Sequence, residues 1–176
     1  MNDDDVTVRR VGPNEAGACV DALAAVLVDC VDGGASVSFM APLALERAQA
    51  FWRDVADGVA RGERVLLIAE EADGRIVGTV QLILALPDNQ PHRADVAKML
   101  VHSHARRRGI AQRLMQAVEE AARAEGKSVL VLDAVTGGDA ERLYARVGWQ
   151  RVGEVPKYAL MPYGGYCSTT FFYKHL

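Results

Sequence analysis

The stretch Arg106-Arg107-Arg108-Gly109-Ile110-Ala111 follows the β-rich run Lys98-Met99-Leu100-Val101 and precedes Ile110, Leu114 and Val118 at helical spacing. A strand that must become a helix within these few residues constrains the fold more than any other feature of the chain. The junction is also electrostatically odd. A helix start carries roughly half a positive charge and favours anions, yet three arginines stand there. No Ser, Thr, Asp or Asn occupies positions 105–110 to cap the free amides. The arrangement makes sense if a bound anion, most simply a phosphate, replaces the cap. Gly109 lets the backbone approach that anion, exposed amides from Arg107 to Ala111 point at it, and arginine forks add charge. The segment is not a P-loop, because no G-K-[ST] follows, and it is not a G-x-G-x-x-G dinucleotide fingerprint.

A solvated basic helix start, or a patch for nucleic acid, is the competing reading. The formal net charge of −3 argues against nucleic-acid binding through overall charge. With 176 residues, one domain spanning 1–176 is expected, large enough to fold without a metal or disulfide staple. Cys19, Cys30 and Cys167 are odd in number and scattered, which fits a reducing compartment and no metal spacing. His102-x-His104 has no third ligand nearby in sequence, so no metal site is expected. The N-terminal Asp3-Asp4-Asp5 reads as a solvated tail without an apolar signal region. No apolar run approaches the ~20 residues needed to span a bilayer. The expectation is a soluble cytoplasmic protein with no nucleic-acid or membrane partner.

Periodicity orders the elements. Val6 to Val11 reads as a strand, and Asn14 as the cap of a helix through about Val31, stopped at Gly33-Gly34. A loop from Ala35 to Ala41 leads to a second helix, to about Arg61, with a buried stripe of Ala44, Ala48, Phe51, Val55 and Val59. Val65 to Ala69 and Ile76 to Leu86 form a hairpin turning at Asp73-Gly74. Asp95 to His102 is a third β-rich run, Gly109 to Glu125 a helix with Ile110, Leu114, Val118 and Ala121 inward, and Val129 to Val135 a central strand. Asp139 to Val147 is a short helix, Pro156 to Cys167 a long loop, and Trp149 to Val155 with Thr169 to Lys174 a closing pair of strands. A hairpin-linked antiparallel half followed by a βαβ half implies an α/β (α+β) domain, with one mixed sheet of about seven strands and helices on both faces.

At this point the chain resembles the GNAT superfamily of N-acetyltransferases. Their strand, then [QR]-x-x-G-x-[GA] opening a helix, is matched by Arg106, Gly109 and Ala111, and their L-Y-x-x-x-G-[FW] segment by Leu143 to Trp149. Gly137 stands where many members carry Asn, seven residues before the tyrosine. A narrower resemblance is to the tabtoxin-resistance acetyltransferases, carried by Gly33-Gly34-Ala35-Ser36-Val37, Phe39-Met40, Arg93-Ala94, Val96, Lys98, and Val152-Gly153-Glu154 with Pro156.

The resemblance implies acetyl-CoA as cosubstrate, no metal, and Arg106, Arg107, Arg108, Gly109, Ile110 and Ala111 around its pyrophosphate. It implies backbone pairing of Met99, Leu100 and Val101 with the pantetheine arm, in a slot where this strand splays from Val129 to Val135. It also implies Tyr144 as the acid that protonates the departing thiolate. An acceptor ammonium, with pKa near 10, is only about 0.1% neutral at pH 7, so a base is needed. Asp133, inside an apolar run, and Asp95, at the start of the cofactor strand, are the candidates, and desolvation would suit Asp133 to the task. The loop around Phe39 and Met40 is expected at the acceptor, with the segment after Pro156 as the other wall. Lys98 could pair with an acid across the sheet. The expected activity is acetylation of a small-molecule amine: a toxin, an antibiotic (hence a resistance role) or an amino-acid-like compound. A protein or peptide N-acetyltransferase and a non-catalytic acetyl-CoA-binding module are the alternatives. A monomer and a homodimer are both open, the strand from Thr169 to Lys174 being a candidate exposed edge.

Overall fold

The computed structural model describes residues 6–176. The acidic run Asp3 to Asp5 lies outside the described residues. Seven strands form one sheet: β1 (Val6–Arg10), β2 (Arg64–Glu71), β3 (Ile76–Ile83), β4 (Arg93–Val101), β5 (Val129–Val135), β6 (Gln150–Leu160) and β7 (Tyr166–His175), in the order β1-β2-β3-β4-β5-β7-β6. Only β4 and β5 run parallel; every other pair is antiparallel. Four helices complete the mixed α/β domain: α1 (Val20–Asp32), α2 (Leu45–Ala60), α3 (Ile110–Ala124) and α4 (Asp139–Arg146).

The helices divide between two faces because strand side chains alternate. Leu66, Ile68 and Leu100 point to one face and meet Leu23, Leu27, Trp52 and Val55 of α1 and α2. Val65, Leu67, Val80, Leu82, Leu130 and Leu132 point to the other and meet Leu114, Met115 and Val118 of α3 and Leu143 of α4. Gly78 of β3 makes the second contact close: a side chain there would sit 3.1 Å from the Leu100 carbonyl oxygen and 3.2 Å from Leu114 Cδ1.

Several local expectations are corrected. Asn14 caps no helix; the chain enters α1 through a 3₁₀ turn, Ala16–Cys19. Neither the turn nor α1 has a side-chain cap; Glu15, just ahead of the turn, instead accepts from the upstream Gly12 amide. The α2 stripe runs through Trp52, which is 1% exposed, while Ala44 is the exposed residue just ahead of the helix. In α3, Met115 and Ala122 are buried and Ala121 only partly. The Pro156–Cys167 segment is mostly strand: β6 continues to Leu160 across a register shift between Val155 and Ala159, and a tight turn follows, with Gly164 and Gly165 at positive φ. At this end of the sheet the edge strand is therefore β6, and β7 is internal.

On the α1/α2 face, α1 packs over β3 and β4 and α2 over β2. Next to them the loop 33–42 leans on the tip of the β6–β7 hairpin. Ser36 Oγ donates to the Leu160 carbonyl (3.0 Å), the Ala41 amide to the Pro162 carbonyl (2.9 Å), and the Tyr163 hydroxyl to the Asp32 carbonyl (2.9 Å). A loop and a hairpin tip, rather than a helix, roof the sheet there.

Candidate active site

The sheet opens in its middle. β4 and β5 pair only through Arg93–Val129, Ala94–Leu130 and Asp95–Val131. Beyond Asp95 the two strands diverge, while β5 stays paired with β7 along its whole length. The backbone of β4 from Val96 to Val101 thus loses its neighbour on one side, and a cleft of about 980 Å³ occupies the gap. Opposite β3, the β4 register slips between Ala97 and Leu100, so that Lys98 and Met99 bulge against one residue of β3. Lys98 takes a positive φ of 50° to do so.

The cleft runs to the start of α3. Gly109, at φ 71°, precedes the helix and provides no side-chain cap, so the first-turn amides are unclaimed. Arg107 is also left-handed, at φ 63°. A non-glycine residue in that conformation stores strain of about 1–3 kcal/mol, which persists where surroundings enforce it. Arg106, Arg107, Gly109, Ile110 and Ala111 line the cleft. Arg106 is held by bonds from its guanidinium to the Val101 carbonyl and Cys30 Sγ. Behind the loop, Asp29 of α1 accepts from both the amide and the hydroxyl of Ser103 at 2.7 Å. His102 and His104 sit side by side on the same 3₁₀ turn. Arg108 departs from the expected set. Its guanidinium pairs with Glu71 at 2.6 Å and lies outside the cleft lining, where Gln112 stands in addition. Two arginines, a left-handed glycine and uncapped amides fit a pyrophosphate group, and the free β4 edge fits an extended amide-bearing arm.

At the opposite end the cleft meets a second cavity of about 360 Å³, lined by Ser36, Ser38, Phe39, Met40, Tyr158, Ala159 and Leu160. Asp133 lines both cavities. The apolar run around it misleads: Leu130 and Leu132 are buried toward α3 and α4, while Asp133 alternates to the opposite, open face. Solvent reaches its carboxylate through the cavity mouth, yet surrounding protein displaces enough water to raise its pKa above the usual carboxylate value. The Lys98 ammonium opposes that rise and Asp95 adds a little to it. Asp95 itself is ion-paired with Arg93 and lines neither cavity. Only Asp133 of the two candidate bases is therefore brought to the cleft.

Tyr144 of α4 also lines the cleft, with its ring packed among Trp149 and Phe172 (centroids 6.1 and 5.9 Å). Burial, reinforced by the charge of Asp133, raises its phenol pKa well above 10, so the hydroxyl holds its proton. Phe39 stacks edge-on against Phe51 at 5.4 Å, which fixes one wall of the smaller cavity. Ser36, Ser38 and Tyr158 lie in the loop and the segment expected as walls but were not singled out as lining. Ser and Tyr are too common on surfaces for a sequence to single them out.

Residues 37–149 match the model of the Acetyltransferase (GNAT) family. Over 131 residues the chain is 37% identical to an uncharacterized N-acetyltransferase from the hisH–hisA intergenic region of Azospirillum brasilense, covering 73% of this chain and 75% of that protein. Two solved structures share the fold. One is the ribosomal-protein-alanine N-acetyltransferase of Brucella melitensis (TM-score 0.79, 23% identity, 97% of this chain and 99% of that one). The other is yncA of Salmonella typhimurium with its cofactor acetyl-CoA (TM-score 0.79, 19% identity, 98% and 95%). A divided sheet, an uncapped arginine-flanked helix start and a family match running from the loop over the smaller cavity to Trp149 lead to one conclusion: the chain belongs to the GNAT family of acetyltransferases.

Proposed function

We propose that this protein is an acetyl-CoA-dependent N-acetyltransferase acting on the amine of a small molecule. The observation that carries this reading is Asp133, a carboxylate of raised pKa at the junction of the long cleft and the small cavity. Acetyl-CoA supplies an activated acetyl thioester. The amides and arginines from Arg106 to Ala111, with Arg108 bracing the loop through Glu71, hold its pyrophosphate. The free edge of Met99 to Val101 aligns its arm, and one amide of that strand donates to the thioester oxygen as negative charge develops. Asp133 takes the proton of the acceptor ammonium, directly or through water. Tyr144 keeps its proton until the sulfur needs it.

A small acceptor is favoured over a protein one because the loop 33–42 and the hairpin tip, joined by three hydrogen bonds, narrow the opening to a cavity of about 360 Å³. The segments that resemble the tabtoxin-resistance enzymes support the same choice and a role in cytoplasmic detoxification. A purely acetyl-CoA-binding module would have no use for a perturbed carboxylate beside a protonated phenol. The test is release of free thiol from acetyl-CoA in the presence of amino acids, polyamines, aminoglycosides and peptides. Turnover with small amines is expected; turnover with peptides alone would reverse the acceptor assignment, and no turnover with any would leave only the binding module.

A further inference from the structure

Lys98 has no place in the chemistry above, yet its setting is unusual. It occupies the bulge of β4 in a left-handed conformation, which a lysine adopts only under constraint. It lines the cleft together with Ser36, Ser38 and Asp133, where the cleft meets the smaller cavity. Its ammonium has three donors, and Ser38 Oγ, at 3.0 Å, is its one hydrogen-bond partner among the described residues. The same ammonium lies 5.6 Å from the centroid of the Phe51 ring. No described carboxylate stands within ion-pair distance. Other cations of this face are engaged: Arg93 with Asp95, and Arg64 with the side-chain oxygen of Gln81. Asp133 is near enough to act on Lys98 through space but is not paired with it. Burial consequently disfavours the ammonium and lowers its pKa, a penalty that an incoming anion would remove.

The acceptor end thus presents one unpaired carboxylate and one unpaired ammonium around one opening. We propose that Lys98 is the receptor for a carboxylate carried by the acceptor, and that the substrates are amines that bear one: amino acids and their close analogues. The acceptor amine faces Asp133 and its carboxylate faces Lys98, with Ser36 and Ser38 as further polar contacts. Polycations such as polyamines and aminoglycosides lack the anion and are repelled by Lys98. The inference rests on the small-amine reading above.

The experiment compares each common amino acid with its decarboxylated amine (arginine with agmatine, histidine with histamine, tyrosine with tyramine), by thiol release and by calorimetry on the coenzyme A-loaded protein. At least one amino acid is expected to exceed its amine by ten-fold or more in kcat/KM. Lys98→Met should raise KM for that amino acid about 10–100-fold, the loss of a charged hydrogen bond. In that variant kcat should fall far less, KM for acetyl-CoA should stay unchanged, and the preference over the amine should vanish. Lys98→Arg should retain the preference. Amines equal to or better than their acids, or a Lys98→Met effect the same for both, would overturn the inference. If nothing is acetylated, the transferase reading fails by itself and calorimetry decides for Lys98. Amino acids binding wild type but not Lys98→Met would sustain the receptor, and equal or absent binding across all pairs would refute it.

Discussion

Two residues that line the cleft have opposed roles in the proposed reaction. Asp133 must lose a proton to work as a base, and its pKa lies above the usual carboxylate range. Activity should therefore fall as pH drops through that raised value, where the carboxyl becomes neutral. Asp133→Asn should lower kcat about 100-fold and erase the acidic limb of the kcat/KM profile. Tyr144 is raised in the same direction, but the consequence is reversed, because an acid gains from keeping its proton. Tyr144→Phe should reduce kcat about 100-fold with the Kd for acetyl-CoA unchanged, measured by calorimetry. Sequence located Tyr144 through its motif and placed Asp133 on the right strand, but it misjudged the setting of Asp133. A run such as Val129 to Leu132 looks buried on both sides, and only tertiary structure reveals that one face is covered by a loop and a hairpin instead of a helix. Arg108 fails for the opposite reason. Its neighbours in sequence are cleft residues, whereas its partner, Glu71, comes from a strand far away in the chain.

At the level of elements, the start of α3 and its seat on the sheet are set by two glycines with different duties. Gly109 supplies a left-handed φ, and no atom lies within 4 Å of where its Cβ would be. Gly109→Ala should cost about 1–2 kcal/mol through backbone strain alone, read as a lowered melting temperature, and raise KM for acetyl-CoA by shifting the amides. Gly78 has an ordinary φ but no space. Gly78→Ala should destabilise by about 1–3 kcal/mol through overpacking against Leu114 and the Leu100 carbonyl, seen in denaturant unfolding. The strand and helix order was legible because hydrophobic periods of two and of about 3.6 are written locally. The 3₁₀ entry to α1 and the continuation of β6 past Pro156 were not. Each depends on partners the local pattern does not contain: α2, against which the turn with buried Ala16 and Cys19 packs, and β7 offering a second strand on which β6 can resume after a bulge.

Across the whole molecule, the short seam between the two halves of the sheet is backed by shared core packing, by the loop 33–42 on the hairpin tip, and by a buried polar cluster. Glu119 of α3, 8% exposed, accepts from Trp149 Nε1 (3.2 Å) and from Lys174 Nζ (2.8 and 2.9 Å), and Lys174 also donates to the Val147 carbonyl (2.8 Å). The cluster ties α3, which sits over β1 to β4, to the end of α4 and to β7. Removing one partner strands the other in low-dielectric surroundings. Lys174→Met should therefore cost about 2–4 kcal/mol in chemical unfolding, more than loss of an exposed pair such as Arg61–Glu63.

The three rungs between β4 and β5 also divide the protein mechanically. Four antiparallel strands lie to one side of them and three to the other, so the seam is a hinge line across an otherwise continuous plate. Amides along such a line exchange with solvent through small openings that leave both plates intact. A ligand lying along the free edge of Val96 to Val101 would bridge the plates where the protein does not, like a stitch closing a dart in cloth. Deuterium uptake by the amides of Val129 to Val131 should slow when acetyl-CoA binds, while uptake within β2 and β3 stays as it was. Slower uptake there would make the cosubstrate a brace across the seam as well as a reactant.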